Sequence, residues 1–272
     1  IYPQITGSGW VEYPCGPVLA NTQEDADASR EDSVYTDQAT VLIDPLAPPE
    51  ERHKAWYRFG SSTGGRTIGY AVSPDGIAWE KQGEVLSRGA SGKFDDNHLN
   101  YPTVLFHDGL YHMWYHGNNV EVASRLEIGY ATSLDGVTWT RQNGGDPVLT
   151  LGTGETDFDN KTVQSPSVQW VDDGAGDGAG DGAFYMWYGG SNTSSVFEIG
   201  LATSPDGITW TRHGVVLSRG PSGGWDGGRV NFPRVVFNGR GVDGRSFGMF
   251  YAGSASGSTT AFDQAWNLAA HP

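Results

Sequence analysis

A segment of twelve residues occurs three times in this chain, and this repetition constrains the fold more than any other feature. Residues 68–79 read IGYAVSPDGIAW, residues 128–139 read IGYATSLDGVTW, and residues 199–210 read IGLATSPDGITW. In each copy an Asp-Gly pair separates two short runs of alternating polarity, which predicts a β-hairpin with a tight turn. Repetition of this kind indicates a protein built by placing one supersecondary unit beside the next.

Two further strands are predicted before each hairpin. An aromatic run precedes it at 55–57, 113–115 and 186–188, and a fourth copy stands at 249–251. Four-stranded units with periodic aromatic and Asp-Gly motifs are typical of β-propeller blades, whereas a two-sheet sandwich does not produce such self-similarity. The first strand of each unit ends near an aligned valine: Val41, Val104, Val168 and Val235.

The number of blades follows from the spacing of these valines. They are 63, 64 and 67 residues apart, and 37 residues follow the last of them. The last unit stops after its third strand, and residues 9–19 match the fourth strand of the other units. We therefore expect residues 1–20 to supply the outer strand of the last blade and to close the ring. The prediction is one all-β domain, residues 1–272, with four four-stranded blades at about 21–88, 89–151, 152–219 and 220–272.

A five-bladed or truncated five-bladed propeller is the alternative. The composition agrees with either ring, because 40 Gly and 14 Pro among 272 residues disfavour a helical protein. Ten Trp, twelve Tyr and eleven Phe disfavour a disordered chain, since aromatic burial offsets the loss of chain entropy.

Charge and hydropathy limit the classes of partner that the protein can bind. A formal net charge of −15 would repel nucleic acid. No apolar run reaches the 18 residues of a membrane span. The single Cys15 can form no intramolecular disulfide, and the first residue is Ile1 rather than Met. We expect a monomer that binds neither nucleic acid nor membrane, and we expect it to be secreted or periplasmic.

Residues present in every unit are expected to hold the blades together. This applies to seven of the ten Trp and to Asp75, Asp135 and Asp206 in the hairpin turns. Four further aspartates align before the first strand, where turn capping is the expected role: Asp32, Asp95, Asp159 and Asp226. Three Trp lie outside the repeat positions and are candidates for stacking on a sugar: Trp170, Trp225 and Trp266.

Polar residues that differ between units are the candidates for binding. Strand alternation places positions four and six residues before the valines on one face, and the first strand of a blade lines the central channel of a propeller. Arg58 and His116 occupy a position that is small in the other units, Gly189 and Ala252. The predicted polyol-binding residues are Tyr35, Arg58, His98, Asn100, His116, Gln164, Arg229 and Asn231. A water-filled channel of satisfied polar groups is the alternative.

No cofactor is expected. His98, His116 and Asp37 have side chains that several cations accept as ligands. Their spacing matches no metal motif, so a structural cation in the axial channel has no support and no metal site is predicted.

The combined motif resembles a known group of propellers. Met-Trp-Tyr-x-Gly, followed by Ile-Gly-Tyr-Ala-Thr-Ser-x-Asp-Gly-x-Thr-Trp and preceded by Pro-x-Val, is similar to glycoside hydrolase families 43 and 32. It is similar also to the mannoside phosphorylases of family 130. The resemblance covers nearly the whole chain and implies a glycoside hydrolase that acts in the axial pocket on a neutral arabinoside, xyloside, fructoside or related glycan. Those relatives usually have five blades.

The resemblance further implies an Asp, an Asp and a Glu on the first strand of three successive blades. The matching positions here hold Asp37, Asn100 and Gln164. Amides can bind a sugar hydroxyl but cannot donate a proton as a general acid, and glycoside hydrolysis normally requires two carboxyl groups. The implied triad is therefore incomplete.

Three hypotheses follow from this difference. In the first, the protein is a hydrolase with Asp37 as base and a displaced acid, for which the candidates are Asp96, Asp157 and Asp159. Asp96 stands out because its counterparts in the other units are not acidic. In the second, the propeller binds glycans without catalysis. In the third, it is a glycoside phosphorylase or transferase.

Overall fold

The computed structural model describes residues 35–60, 65–122, 124–172, 182–241, 244–255 and 265–271, with side chains from Gln38 to Val236 and from Phe247 to Ala255 within these ranges. In this structure each repeated Asp-Gly pair forms a tight turn. The Asp135 carboxylate accepts the backbone N–H groups of Val137 and Thr138 and the Ser133 hydroxyl proton. These bonds lower the pKa of Asp135 to about 2. Asp75 and Asp206 accept the equivalent bonds, so these aspartates have the predicted structural role.

Each turn connects the third and fourth strands of a four-stranded antiparallel sheet. The first two sheets, called blade 1 and blade 2, are each formed by strands that are consecutive in the chain. Blade 1 contains β1 Tyr35–Ile43, β2 His53–Gly60, β3 Thr67–Ser73 and β4 Glu80–Leu86. Blade 2 contains β5 His98–His107, β6 Leu110–Asn118, β7 Glu127–Ser133 and β8 Thr140–Arg141.

The other two sheets follow in the same order. Blade 3 contains β9 Thr162–Asp172, β10 Gly182–Ser191, β11 Phe197–Ser204 and β12 Thr211–Leu217. Blade 4 contains three strands in the described residues, β13 Arg229–Gly241, β14 Gly244–Ser254 and β15 Ala265–His271. Within the described ranges, two short 3₁₀ helices lie at Pro49–Glu51 and Asn143–Gly145. The predicted closing strand, residues 1–20, lies outside the described residues.

A tryptophan from one blade contacts the turn of the next. Trp56 of blade 1 donates its indole N–H to the carbonyl oxygen of Gly136 in blade 2, at 2.7 Å, and Trp114 makes the equivalent bond to Gly207 in blade 3, at 3.1 Å. A β-carbon at Gly136 would lie 2.8 Å from the Trp56 ring, and its φ of 78° also favours glycine. The repeated glycine is therefore required both by the turn and by the tryptophan of the preceding blade.

Adjacent blades also pack through apolar side chains. Val104, in the first strand of blade 2, is buried with Trp56 and Tyr70 of blade 1. Val168 of blade 3 is buried with Trp114 of blade 2, and Val235 of blade 4 with Trp187 of blade 3. The core thus lies between the blades, with the first strands β1, β5, β9 and β13 adjacent to one another in that order. This is the arrangement of a β-propeller, as predicted.

None of the helices in the described part of the chain is long and apolar enough to cross a membrane.

Candidate functional site

A β-bulge interrupts the first strand of every blade at the same point. The register with the second strand shifts between Asp37 and Thr40, between Asn100 and Thr103, next to Gln164, and between Asn231 and Arg234. The residue at the bulge has a positive φ of 50–56° and is not glycine: Gln38, Tyr101, Ser165 and Phe232. Such angles are uncommon for these residues, and bulges beside active sites re-aim side chains. The four bulges therefore mark one level of the propeller axis.

Three amide side chains directly precede the bulges of blades 2, 3 and 4. Asn100, Gln164 and Asn231 are 5%, 7% and 3% exposed. The residues before them, Leu99, Val163 and Val230, are fully buried in the cores between blades. Because side chains alternate along a strand, the amides point to the opposite, axial face.

One of these amides has a buried oxygen that makes no hydrogen bond to the described part of the chain. Oδ1 of Asn100 is buried without a partner among the described residues. Oδ1 of Asn231 accepts the N–H of Phe232, at 2.8 Å. Gly189 lies between Asn231 and Gln164, and a β-carbon there would overlap Oδ1 of Asn231. Buried polar groups are normally hydrogen-bonded, so this set is suited to a polar ligand or to water.

His116 lies beside these amides as a neutral imidazole. It pairs with Asn100 across β5 and β6, and its Nδ1 accepts the backbone N–H of Ser165 in blade 3, at 3.1 Å. Burial, followed by the charges of Arg58 and Arg66, lowers the pKa of His116 to about 3. Because Nδ1 accepts, the ring proton of the neutral form is on Nε2.

This burial predicts a pH dependence of stability. In the unfolded chain the pKa of His116 returns to the ordinary histidine value of 6.5. As the pH falls below 6.5, the unfolded state binds a proton that the folded state excludes, so stability is lost between pH 6.5 and about 3. We expect the free energy of unfolding in urea to fall by about 2 kcal/mol more in the native protein than in His116→Gln between pH 7.5 and 5.0. Equal losses in the two proteins would show that His116 is not buried neutral.

An aromatic stack crosses the axial face, and the sequence did not predict it. Tyr101 stacks on His116 with ring centroids 5.3 Å apart and on Phe232 of blade 4 at 4.9 Å. The guanidinium carbon of Arg234 lies 5.8 Å from the centre of the Tyr101 ring. Tyr101 and Phe232 are bulge residues, and their left-handed backbone brings together rings that simple alternation would separate. The sequence signal that could have marked these bulges is the proline that follows the bulge residue in blades 2, 3 and 4.

Two other predicted polyol-binding residues, His98 and Arg229, make separate contacts. His98 begins β5, and its Nδ1 accepts the N–H of Arg66 at 3.2 Å. Burial, followed by the charges of Arg66 and Arg88, lowers its pKa. Arg229 instead lies over the ring of Phe197, with its guanidinium carbon 5.0 Å from the ring centre.

The remaining predicted residues of blade 1 lie on β1 and β2. Asp37 is opposite Arg58, and Tyr35 is opposite Gly60. The side chains of Asp37 and Tyr35 are outside the described part of the structure. Arg58 is half-buried, and its charge contributes to the depressed pKa of His116.

Asp159 belongs to a structural motif that repeats between blades. Its carboxylate accepts the Tyr188 hydroxyl at 2.9 Å and pairs with Arg212 at 3.1 Å. Asp95 forms the same contacts with Tyr115 and Arg141, each at 2.9 Å. We call each Asp, Tyr and Arg group a blade brace. Since two blades contain it, the geometry gives Asp159 a structural role, through side chains of its own blade rather than through the predicted turn capping, and no support as a proton donor.

Asp96 also holds a loop. Oδ2 accepts the N–H of Gly92 at 2.7 Å, and Oδ1 accepts the N–H of Val120 at 2.8 Å. In blade 3 the amide oxygen of Asn160 accepts the N–H of Thr193 in the same way, at 3.0 Å. Because an amide makes the equivalent bond, the negative charge of Asp96 is not needed for this contact.

Two of the three Trp candidates for sugar stacking have packing roles. Trp170 stacks on His107 with ring centroids 3.9 Å apart and packs edge-on against Phe184. Trp225 precedes Asp226 and lies 5.6 Å from the Tyr251 ring. Phe158 occupies the same position before Asp159 and lies 5.6 Å from Tyr188. The side chain of Trp266 is outside the described residues.

The described residues contain no group of three His, Cys, Asp or Glu side chains that could hold a metal ion. The site they form is therefore built from amides, an imidazole, aromatic rings and guanidinium groups.

No family model matches this chain. It is 32% identical over 202 residues to MT1551 of Mycobacterium tuberculosis (strain CDC 1551 / Oshkosh), a protein described as uncharacterized. This alignment covers 71% of the present chain and 58% of MT1551, so the chain spans a little over half of the length of that relative.

Similarity to solved structures is extensive. A structure described as a glycoside hydrolase matches with a TM-score of 0.63 and 20% identity, over 89% of this chain and 73% of that one. A thermostable family-43 glycoside hydrolase matches with a TM-score of 0.61 and 16% identity, over 89% and 70%. This chain has the fold of the glycoside hydrolase propellers.

A third structure extends the likeness to family 130. It is described as a member of the mannoside phosphorylase family that contains glycoside hydrolases targeting β-1,2-mannosidic linkages in Candida mannan. Its TM-score is 0.58 at 18% identity, over 82% of this chain and 61% of that one. The fold implied by the motifs is thus confirmed. Two of the positions where the resemblance implies carboxylates hold amides in this chain, Asn100 and Gln164.

Proposed function

We propose that this protein is a carbohydrate-active protein of the glycoside hydrolase type, which binds a neutral glycan in its axial pocket. The observation that carries the proposal is the set of buried amides Asn100, Gln164 and Asn231, in which Oδ1 of Asn100 has no hydrogen-bond partner among the described residues. Sugar hydroxyls donate and accept hydrogen bonds, as do amide side chains.

In hydrolysis, Asp37 is the candidate base. It occupies in blade 1 the position that the amides occupy in the other blades, and it is the acidic member of that set. Its role is to take a proton from water, while Asn100 and Gln164 hold hydroxyls of the bound sugar. The first strands of blades 2 to 4 place no carboxylic acid beside these amides, so protonation of the leaving oxygen depends on solvent. Substrates with good leaving groups should therefore react fastest.

Glycan binding without turnover is the second candidate. It is favoured by amides at three of the four axial positions, because amides bind hydroxyls but supply no general acid.

Calorimetry with neutral oligosaccharides, together with release of sugar from aryl arabinosides, xylosides, fructosides and mannosides, tests both candidates. We expect Asn100→Ala to weaken glycan binding by roughly fivefold to tenfold, the loss of one or two hydrogen bonds. Gln82→Ala, on the exposed face of β4, is the control and should bind like the native protein. Binding to none of the glycans would contradict the proposed function, and binding without release would favour the second candidate.

A further inference from the structure

A polar cleft lies between blades 1 and 2, outside the axial amide set. Its volume is about 440 Å³. The side chains that line it and can bind a ligand are Glu84, Ser87, Arg88, Ser91 and Asp96. They come from the end of β4 and from the loop that leads to β5, so the cleft follows the junction between the two blades.

The cleft lies close to the axial amides. A β-carbon at Gly65 would lie 3.2 Å from Nη1 of Arg88, so the guanidinium group packs on that residue. The next residue, Arg66, donates its N–H to His98, one of the predicted polyol-binding residues. Asp96 precedes Asn100 by four residues, a span of at most about 14 Å. The cleft and the axial amides are therefore close enough for one oligosaccharide to reach both.

The charges in the cleft indicate what it binds. Arg88 is exposed and makes no ion pair or hydrogen bond among the described residues. The two bonds that Asp96 accepts leave its carboxylate with further lone pairs. With Glu84 and Asp96 opposing one guanidinium, the cleft has a net negative charge, which disfavours an acidic sugar. Hydroxyls of a neutral sugar can accept from Arg88 and donate to the carboxylates, and such charge-assisted bonds are the stronger ones.

A second cleft provides a natural comparison. The sequence Ser87-Arg88-Gly89-x-Ser91 recurs as Ser218-Arg219-Gly220-x-Ser222 between blades 3 and 4. That cleft is smaller, about 290 Å³, and Gly227 stands where blade 2 has Asp96. Between blades 2 and 3 the matching position is Leu151, which packs against the core. An arginine at this position is therefore not required for two blades to pack together. Of these clefts, the one between blades 1 and 2 combines the arginine with an aspartate, Asp96.

We propose that the cleft between blades 1 and 2 is a second sugar subsite, in which Arg88 and Asp96 bind the hydroxyls of a neutral sugar linked to the one in the axial pocket. This assignment rests on the proposed function and names its substrate class, a neutral oligosaccharide rather than a single sugar.

The test compares Arg88→Ala with Arg219→Ala. Affinities are measured by calorimetry for neutral di-, tri- and tetrasaccharides of arabinose, xylose, fructose and mannose, for the corresponding methyl monosaccharides, and for uronic acid oligosaccharides. We expect Arg88→Ala to weaken binding of the oligosaccharide roughly tenfold or more, the loss of a charge-assisted hydrogen bond, and to leave monosaccharide binding unchanged. Arg219→Ala should bind both like the native protein.

The possible outcomes distinguish failure of the subsite proposal from failure of the proposed function. An oligosaccharide that binds equally to the native protein and to Arg88→Ala would overturn the subsite and leave the proposed function standing. Tighter binding of uronic acid oligosaccharides than of neutral ones would overturn the assignment to neutral sugars. Failure of the native protein to bind any of these glycans would overturn both proposals.

Discussion

We expect Asp37→Asn to lower the kcat/KM for hydrolysis of an aryl glycoside by roughly 10²–10⁴-fold and to change the glycan affinity little. The physical reason is that the amide cannot take a proton from water, whereas it retains an oxygen and an N–H for binding a hydroxyl. Asp37 is the acidic member of the set of four equivalent axial positions, so the other three cannot replace it. The measurement is the initial rate with the best substrate of the panel, with binding followed by calorimetry.

Asp108→Asn is the matched control for this experiment. Asp108 is exposed in the turn after β5 and has a φ of 48°, which asparagine adopts readily. Its activity should equal that of the native protein, which would show that an Asp-to-Asn change outside the axial set leaves the activity intact. A substrate turned over equally by Asp37→Asn and by the native protein would remove Asp37 from the mechanism.

Asp159→Asn is expected to lower the free energy of unfolding by about 3 kcal/mol, because it leaves Arg212 in the blade brace without its carboxylate. This is the low end of the range for breaking a buried pair, since the Arg212 side chain is 34% exposed. Asp95→Asn breaks the same motif in blade 2 and should cost at least as much. Urea unfolding at pH 7 gives both values.

The same pair of variants separates a structural role from a catalytic one. Below their unfolding temperatures, both variants should retain similar activity if the brace only holds the blades. A loss of activity in Asp159→Asn that greatly exceeds the loss in Asp95→Asn would instead return Asp159 to the set of candidate acids.

Asp146→Asn is the control for the stability measurement. It removes the exposed pair with Lys93 and should change the free energy of unfolding by less than about 1 kcal/mol.

Several features of the fold could be predicted because their causes are local. The Asp-Gly turns follow from the hydrogen bonds that Asp75, Asp135 and Asp206 make within three residues of themselves. The axial face of Asn100 follows from strand alternation, with Leu99 on the buried side. The count of four blades in the described residues follows from the repeat itself.

Other features depend on contacts between distant parts of the chain, and sequence reasoning could not supply them. Trp56 binds a carbonyl 80 residues away, and Arg212 pairs with an aspartate 53 residues before it. The sequence offers Asp96, Asp157 and Asp159 as candidate acids. In the structure Asp159 belongs to a brace. Asp96 and Asp157 each accept backbone N–H groups of loops, and Asp96 also lines a cleft.

The sequence by itself determined the repeated blade, the apolar positions between blades and the replacement of two expected carboxylates by amides. These depend on side-chain period and on turn chemistry, which are properties of neighbouring residues. Only the tertiary structure decided which polar groups meet at the axis. The left-handed bulge residues Tyr101 and Phe232 turn the strand at each blade, and the packing of one blade on the next then stacks their rings and isolates the His116 imidazole from water.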